Sequence, residues 1–484
     1  MRALGRLLAL SVALSLGACA SPTYLPREAL LDPQTCATCH APYVQDWSGS
    51  MHAYASDDPV FVAMNARGQR ETNGALGGFC VGCHAPMAVR EGATTDGLNL
   101  ASVPQPLKGV TCFFCHSVAS VDGAHDNPLS LATDETLRAS FSDPVSNDAH
   151  RAGYSVLLDR SRLESASLCG ACHDIVTPAG AAIERTYSEW QHSVYDMAPN
   201  GRTCGQCHMS ESTTPMPIAS AEGVFARRTH SHQFAAVDLA LTAFPQADAQ
   251  KQAVQSFLDS TLQSALCVAT TGSTASLRVI LDNVAAGHNW PSGAAQDRRA
   301  WIEIVAYQGG NVIYQSGVVP DGTPVGTASN DPDLWQLRDC MTDASGKPVD
   351  MFWQAANAQG NELPGQITFD MLNPDFYKTH IRQSFPATGM VTGVPDRVTL
   401  RVRLQPVGLD VLDDLVGSGD LAPSVRAAMG TFDVASSPIL EWTAATATPD
   451  DYEEDGVVYS CASNTNLSGR SNSVPATSRG ACGP

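Results

Sequence analysis

The sequence predicts an α+β multidomain chain, with a region of short helices and loops followed by an antiparallel β-sandwich. Three observations predict it. Cys-x-x-Cys-His occurs five times between residues 36 and 208. The surrounding stretch is rich in Gly, Pro, Ser and Asp and shows little sustained periodicity. Beyond residue 275, β-branched and aromatic runs separated by Gly-Gly, Asp-Gly and Gly-Lys-Pro turns take over.

The five motifs are Cys36-Ala37-Thr38-Cys39-His40, Cys80-Val81-Gly82-Cys83-His84, Cys112-Phe113-Phe114-Cys115-His116, Cys169-Gly170-Ala171-Cys172-His173 and Cys204-Gly205-Gln206-Cys207-His208. Two thiols three residues apart can each form a thioether with one vinyl group of a porphyrin. The histidine that follows is carried beneath the ring as an axial ligand to the iron. Zinc or dithiol chemistry also uses Cys-x-x-Cys, but zinc sites pair such elements two by two, and these are odd in number and each followed by His. The motifs therefore predict five covalently bound haem c groups, with proximal ligands His40, His84, His116, His173 and His208. So many haems in residues 19–235 leave too little polypeptide for a conventional core around each. The porphyrins must form much of the core themselves, packed close enough to pass electrons.

A helix is expected from Ala249 to Ser264, where Val254, Phe257, Leu258 and Leu262 recur at helical spacing, within a linker spanning residues 236–275. The sandwich is placed at 276–442. Its strands include Leu277–Leu281, Trp301–Tyr307, Val312–Tyr314 and Val398–Leu404. Two short helices follow, Leu409–Val416 and Ala422–Met429, the second opened by Pro423. The acidic, then Ser/Asn-rich stretch 443–484 is expected to be loosely ordered unless a Cys461–Cys482 bridge ties it down.

Arg2 and Arg6, the apolar run Leu7–Leu16 and the small residues after it describe a secretory signal too short to span a bilayer. Its end, Leu16-Gly17-Ala18-Cys19, resembles a bacterial lipoprotein signal, which implies cleavage after residue 18 and a lipid on Cys19; an ordinary signal peptide is the alternative. Ala20 resembles the sorting residue of outer-membrane lipoproteins, which implies a periplasmic or cell-surface location. Cys267, Cys340, Cys461 and Cys482 are then left, and an exported compartment suggests two disulfides with three possible connectivities. Cys267–Cys340 with Cys461–Cys482 is favoured because each closes a loop within one region; buried free thiols are the alternative. The net charge of −20 excludes nucleic acid as a partner and suits a basic redox protein of the envelope, or plain solubility. Oligomeric state is not read.

Eight of the thirteen histidines lie outside the motifs, enough to give every iron a second imidazole. Residues 36–232 resemble the multihaem cytochromes of the cytochrome c554 type. The resemblance is carried by the first motif with Trp47-Ser48-Gly49-Ser50-Met51-His52, by Gly109–Ser117, and by Leu168–Trp190. It implies that His52 is a distal ligand and that His150 and His232 supply others. An echo at Trp190-Gln191-His192-Ser193-Val194-Tyr195 carries Tyr195 where His is expected, which puts a distal ligand from this copy in doubt and leaves one open haem conceivable. His288, in Gly287-His288-Asn289-Trp290-Pro291-Ser292-Gly293, is similar to loops that recur in multihaem cytochromes with a β-domain. It is taken either as a distal ligand or as a turn residue. His125 is a further distal candidate, His192 and His230 are possible ones, and His380 is read as a surface residue.

Two functions remain in view. One is an electron carrier with mostly bis-His haems. The other is a reductase or oxidase of a small nitrogen or sulfur compound, which needs an open iron. No Cys-x-x-Cys-Lys, the variant that marks the catalytic haem in some multihaem reductases, occurs. A third possibility makes the β-domain a docking module.

Overall fold

The structure is a computed structural model. It describes residues 24–326, 331–434, 440–446, 448–463, 470–480 and 482. Cys19 and the N-terminal signal lie outside the described residues.

The N-terminal half holds many short elements and little sheet. Helix α1 (Pro33–Ser48) carries the first motif and breaks from helical geometry at His40. Helix α2 (Pro59–Glu71) follows, opened by Asp58, whose carboxylate accepts from the Val60 amide. Helix α3 (Thr186–Gln191) lies just after the fourth motif. Between them run one-turn helices and two-stranded ribbons, as expected for a segment whose apolar partner is not polypeptide.

Helix α4 (Ala247–Thr261) passes directly into strand β1 (Leu262–Thr271), so the sheet begins well before residue 276. Leu262 is buried as a strand residue and not as the last turn of the helix. Strand β1 pairs in register with β2 (Thr274–Asn283). Gly272, at φ +60°, occupies the tight turn between them, a conformation that suits glycine. Further strands of the two large sheets are β3 (Arg299–Gln308), β4 (Asn311–Ser316), β5 (His380–Phe385), β6 (Arg397–Gln405), β7 (Phe432–Val434), β8 (Leu440–Thr443), β9 (Thr448–Glu454), β10 (Val457–Ser463) and β11 (Val474–Pro475). One sheet has the order β9-β10-β1-β2-β5-β11 and the other β4-β3-β6-β7, with β8 also on β6.

Alternate residues of facing strands form one core: Leu277, Val279 and Leu281 from β2, Ile302 and Ile304 from β3, and Leu400, Val402 and Leu404 from β6. Helix α4 closes it with Val254 and Leu258. Helices α5 (Leu409–Gly417) and α6 (Pro423–Ala428) lie against α2 instead, where Leu409, Leu412, Leu415 and Val425 cluster with Val60 and Ala63. The two regions are thus packed together and not merely tethered. No helix among the described residues is long and apolar enough to cross a membrane.

Three expectations are corrected. The disulfides join Cys267 to Cys461 and Cys340 to Cys482, so neither favoured pair forms. Cys461 stands opposite Cys267 in the pairing of β10 with β1, and the bond is a cross-strand staple over 194 residues. The C-terminal stretch is accordingly not loose over its described residues: β9, β10 and β11 extend the first sheet. His380 is 1 % exposed, with its Nε2 3.3 Å from the buried carboxylate of Asp282. It begins β5 directly opposite Asp282 of β2, so strand pairing turns it inward.

Non-reducing peptide mapping is expected to recover the 267–461 and 340–482 links; a 267–340 link would contradict the strand register. Replacing His380 with Ala should lower the unfolding free energy by about 1–3 kcal/mol, the cost of leaving a buried polar partner unsatisfied. Its haem absorption spectrum should stay unchanged.

Candidate haem sites

Each motif is shaped by local signals. Thr111 caps Cys112–His116 by accepting from the Phe114 amide. Thr203 and Gln206 form a reciprocal capping box at Cys204–His208. The second motif occupies the one-turn helix Val81–His84. The fourth straddles the end of Ala166–Gly170.

The imidazoles are prepared as ligands. Nδ1 of His40 bonds the Ile218 carbonyl at 2.8 Å, His84 that of Ala55 at 3.1 Å, His116 that of Arg138 at 2.5 Å and His208 that of Ala235 at 2.8 Å. A ring whose Nδ1 donates to a carbonyl presents an unprotonated Nε2, which is what a metal requires. Burial also pushes these rings toward the neutral form, His84 to about 4 and His40, His116, His173 and His208 in the same direction.

Four of the five proximal rings face a second imidazole. Ring centres are 6.3 Å apart for His40 and His150, 6.3 Å for His52 and His173, 6.5 Å for His116 and His232, and 6.5 Å for His208 and His288. Two imidazoles on opposite sides of one iron, each nitrogen about 2 Å from the metal and about 1.1 Å from its ring centre, would stand about 6.2 Å apart. The spacing fits haem iron between each pair. Burial holds His52 and His232 at about 3 and His288 at about 4, again neutral. His150 and His288 bond the carbonyls of Arg151 and Asn289 through Nδ1, leaving Nε2 for metal. Bound haem would supply one-electron redox chemistry, and these residues would anchor and orient it.

The local structure explains the placement of His52. Ser50 donates to the Trp47 carbonyl at 2.7 Å and accepts from the Ala53 amide, which starts the one-turn helix bearing His52. The Val110 amide bonds the His52 carbonyl at 2.8 Å. Gly109 lies so close that an added Cβ would stand 2.5 Å from that carbonyl oxygen, and its φ of +70° independently favours glycine. His52 follows the first motif in sequence yet faces the fourth.

The echo repeats this geometry. Ser193 donates to the Trp190 carbonyl and accepts from the Tyr195 amide, so Tyr195 takes the position of a histidine. Its ring packs beneath Gly287, on the loop that carries His288. The doubt raised by Tyr195 is met by the β-domain loop, which brings the ring of His288 to 6.5 Å from that of His208 in the fifth motif. The proximal ring without a facing imidazole among the described residues is His84. Phe61 of α2 stacks on the face of that ring, centres 3.9 Å apart and planes 4° apart, so it lies beside the imidazole and not beyond Nε2.

The other distal candidates are also corrected. His125 is exposed and bonds Asp126. His192 is exposed and bonds the Ser188 carbonyl. His230 stacks on His232, a distal-side ring, at 5.3 Å. None of them faces a proximal histidine at ligand spacing.

The motifs converge on the fourth. The thiol of Cys36 influences that of Cys112, Cys83 that of Cys172, and Cys169 those of Cys204 and Cys115. All five are thus linked through close neighbours. Nine of the ten motif cysteines are partly shielded and Cys207 is exposed. Sequence reading gave no sign of this convergence, because the contacts span distant segments.

No curated protein matches the chain. The family described as "Cytochrome c554 and c-prime" matches residues 35–117. A penta-haem cytochrome c552 from Thermochromatium tepidum shares the fold: 19% identity, a TM-score of 0.55, 85% of this chain and 98% of that one. The chain is thus similar to the cytochrome c554 family across its first three attachment motifs and in fold to a penta-haem cytochrome, and these likenesses support a multihaem c-type cytochrome.

Proposed function

We propose that the protein is an exported electron carrier of the bacterial envelope with five covalent haems. Four are bis-His and low-spin: His40/His150, His173/His52, His116/His232 and His208/His288. The observation that carries this reading is the four ring-centre separations of 6.3–6.5 Å. The cysteine contacts between motifs support a continuous electron path with the fourth haem at its branch point. The pattern Leu16-Gly17-Ala18-Cys19 supports a lipid anchor at the outer membrane.

One observation favours a second reading. The haem of Cys80, Cys83 and His84 has a proximal ligand and no facing imidazole among the described residues. An iron with a free distal position can bind a small molecule, the requirement for a reductase or oxidase of a small nitrogen or sulfur compound. In this reading the other four haems deliver electrons to it.

EPR of the fully oxidised protein is expected to show four low-spin haems and one high-spin haem. The reduced protein should bind carbon monoxide at one site. Five low-spin haems with no carbon monoxide binding would remove the enzymatic reading, and more than one high-spin haem would break the bis-His assignment. His52→Ala is expected to raise the high-spin count by one without loss of covalent haem, checked by total haem content.

A further inference from the structure

Helix α3, in the haem-bearing half, carries a cluster of side chains that reaches across to the His288 loop. Glu189 accepts from the Asn289 amide at 3.2 Å and from the Ser292 hydroxyl at 2.7 Å. Thr186 meets the same hydroxyl at 2.8 Å and accepts from the Gly293 amide at 3.0 Å. Arg185 stands 3.7 Å from Glu189 and is itself held by Asp339 at 2.8 Å and Glu362 at 3.0 Å, both from the β-domain. The Glu189 side chain is 9 % exposed, and its bonds to the loop are shielded from competing water.

From the opposite side, Asn283 donates to the His288 carbonyl at 2.7 Å. Gly365 packs so closely that a Cβ there would meet His288 backbone atoms at 3.1 Å. The peptide joining His288 to Asn289 is thus gripped at both ends, its carbonyl by Asn283 and its N–H by Glu189. The Asn289 carbonyl in turn receives the Nδ1 proton of His288 at 2.7 Å. Fixing that peptide fixes the direction of Nε2.

We propose that Glu189 is a positioning residue that aims His288 at the iron of the fifth haem. The proposal rests on the reading of His288 as a distal ligand. A general glue between the two regions would not need a carboxylate on this peptide: Thr177 already bonds the Ala355 carbonyl at 3.0 Å elsewhere in the same interface.

The test uses the full, haem-loaded protein and three variants. Glu189→Met fills similar space without accepting hydrogen bonds, His288→Ala removes the ligand, and Thr177→Val loosens the interface away from the loop. With total haem content equal to wild type, Glu189→Met and His288→Ala are each expected to convert one low-spin haem to high-spin in the EPR spectrum. Added imidazole is expected to convert one more high-spin haem to low-spin in each variant than in the wild type, where it acts on the haem of His84. Thr177→Val should keep the wild-type spectrum. A wild-type spectrum for Glu189→Met beside a converted haem in His288→Ala would overturn the positioning role and leave the ligand assignment standing. A wild-type spectrum for His288→Ala would overturn the ligand assignment and the proposal with it. Loss of the same signal in Thr177→Val would show general loosening and also overturn it. If Glu189→Met does not load haem, Ser292→Ala is read by the same signals; a partial conversion is expected, and none would overturn the proposal.

Discussion

The structure depends on holding imidazoles in pairs whose ring centres stand 6.3–6.5 Å apart. Burial holds His52, His173, His208, His232 and His288 toward the neutral form, and Nδ1 bonds to carbonyls at His40, His116, His150, His208 and His288 leave Nε2 available. Each ring must also be fixed to within a fraction of an ångström of the spacing that one iron demands. Short helices, capped by Thr111, Thr203 and Ser50, achieve this where long ones could not, because each needs to orient only one or two side chains. Backbone carbonyls of remote segments such as Ile218, Ala55 and Ala235 serve as tethers.

The β-domain answers the same requirement from outside. Its sandwich has an ordinary apolar core and would be stable on the usual terms of strand pairing and burial. Its connection to the haem-bearing half comes through apolar contact of α5 and α6 with α2 and through the polar cluster around Arg185 and Glu189. The loop at His288 lies in that interface and faces the motif whose own segment offers Tyr195. The β-domain thus presents one imidazole beside the motif that follows the Tyr195 element.

The element around Trp47 and its echo around Trp190 show how one local structure serves two ends. Both use a serine that bonds the tryptophan carbonyl and caps the following turn. In the first copy the turn projects His52 to the fourth motif. In the second it projects Tyr195 under Gly287, where it supports the loop instead of facing a metal. His84 stands apart, flanked by Phe61 and faced by no second ring among the described residues.

The attachment motifs, the histidine that ends each of them and the change from loop-rich to strand-rich architecture were legible in the sequence. Each of these is local, carried by spacing within a motif or by periodicity within a run. His52, His150, His232 and His288 could be proposed from short motifs and family likeness, but the motif each one faces could not. His52 crosses from the first motif to the fourth, and His288 comes from another domain. The disulfide partners were hidden for the same reason, since strand order sets Cys461 beside Cys267 and sequence distance does not. His380 looked exposed until β5 paired with β2 and turned it toward Asp282. Tertiary structure decided these points because facing, pairing and burial depend on which distant segments meet, and no local pattern encodes that meeting.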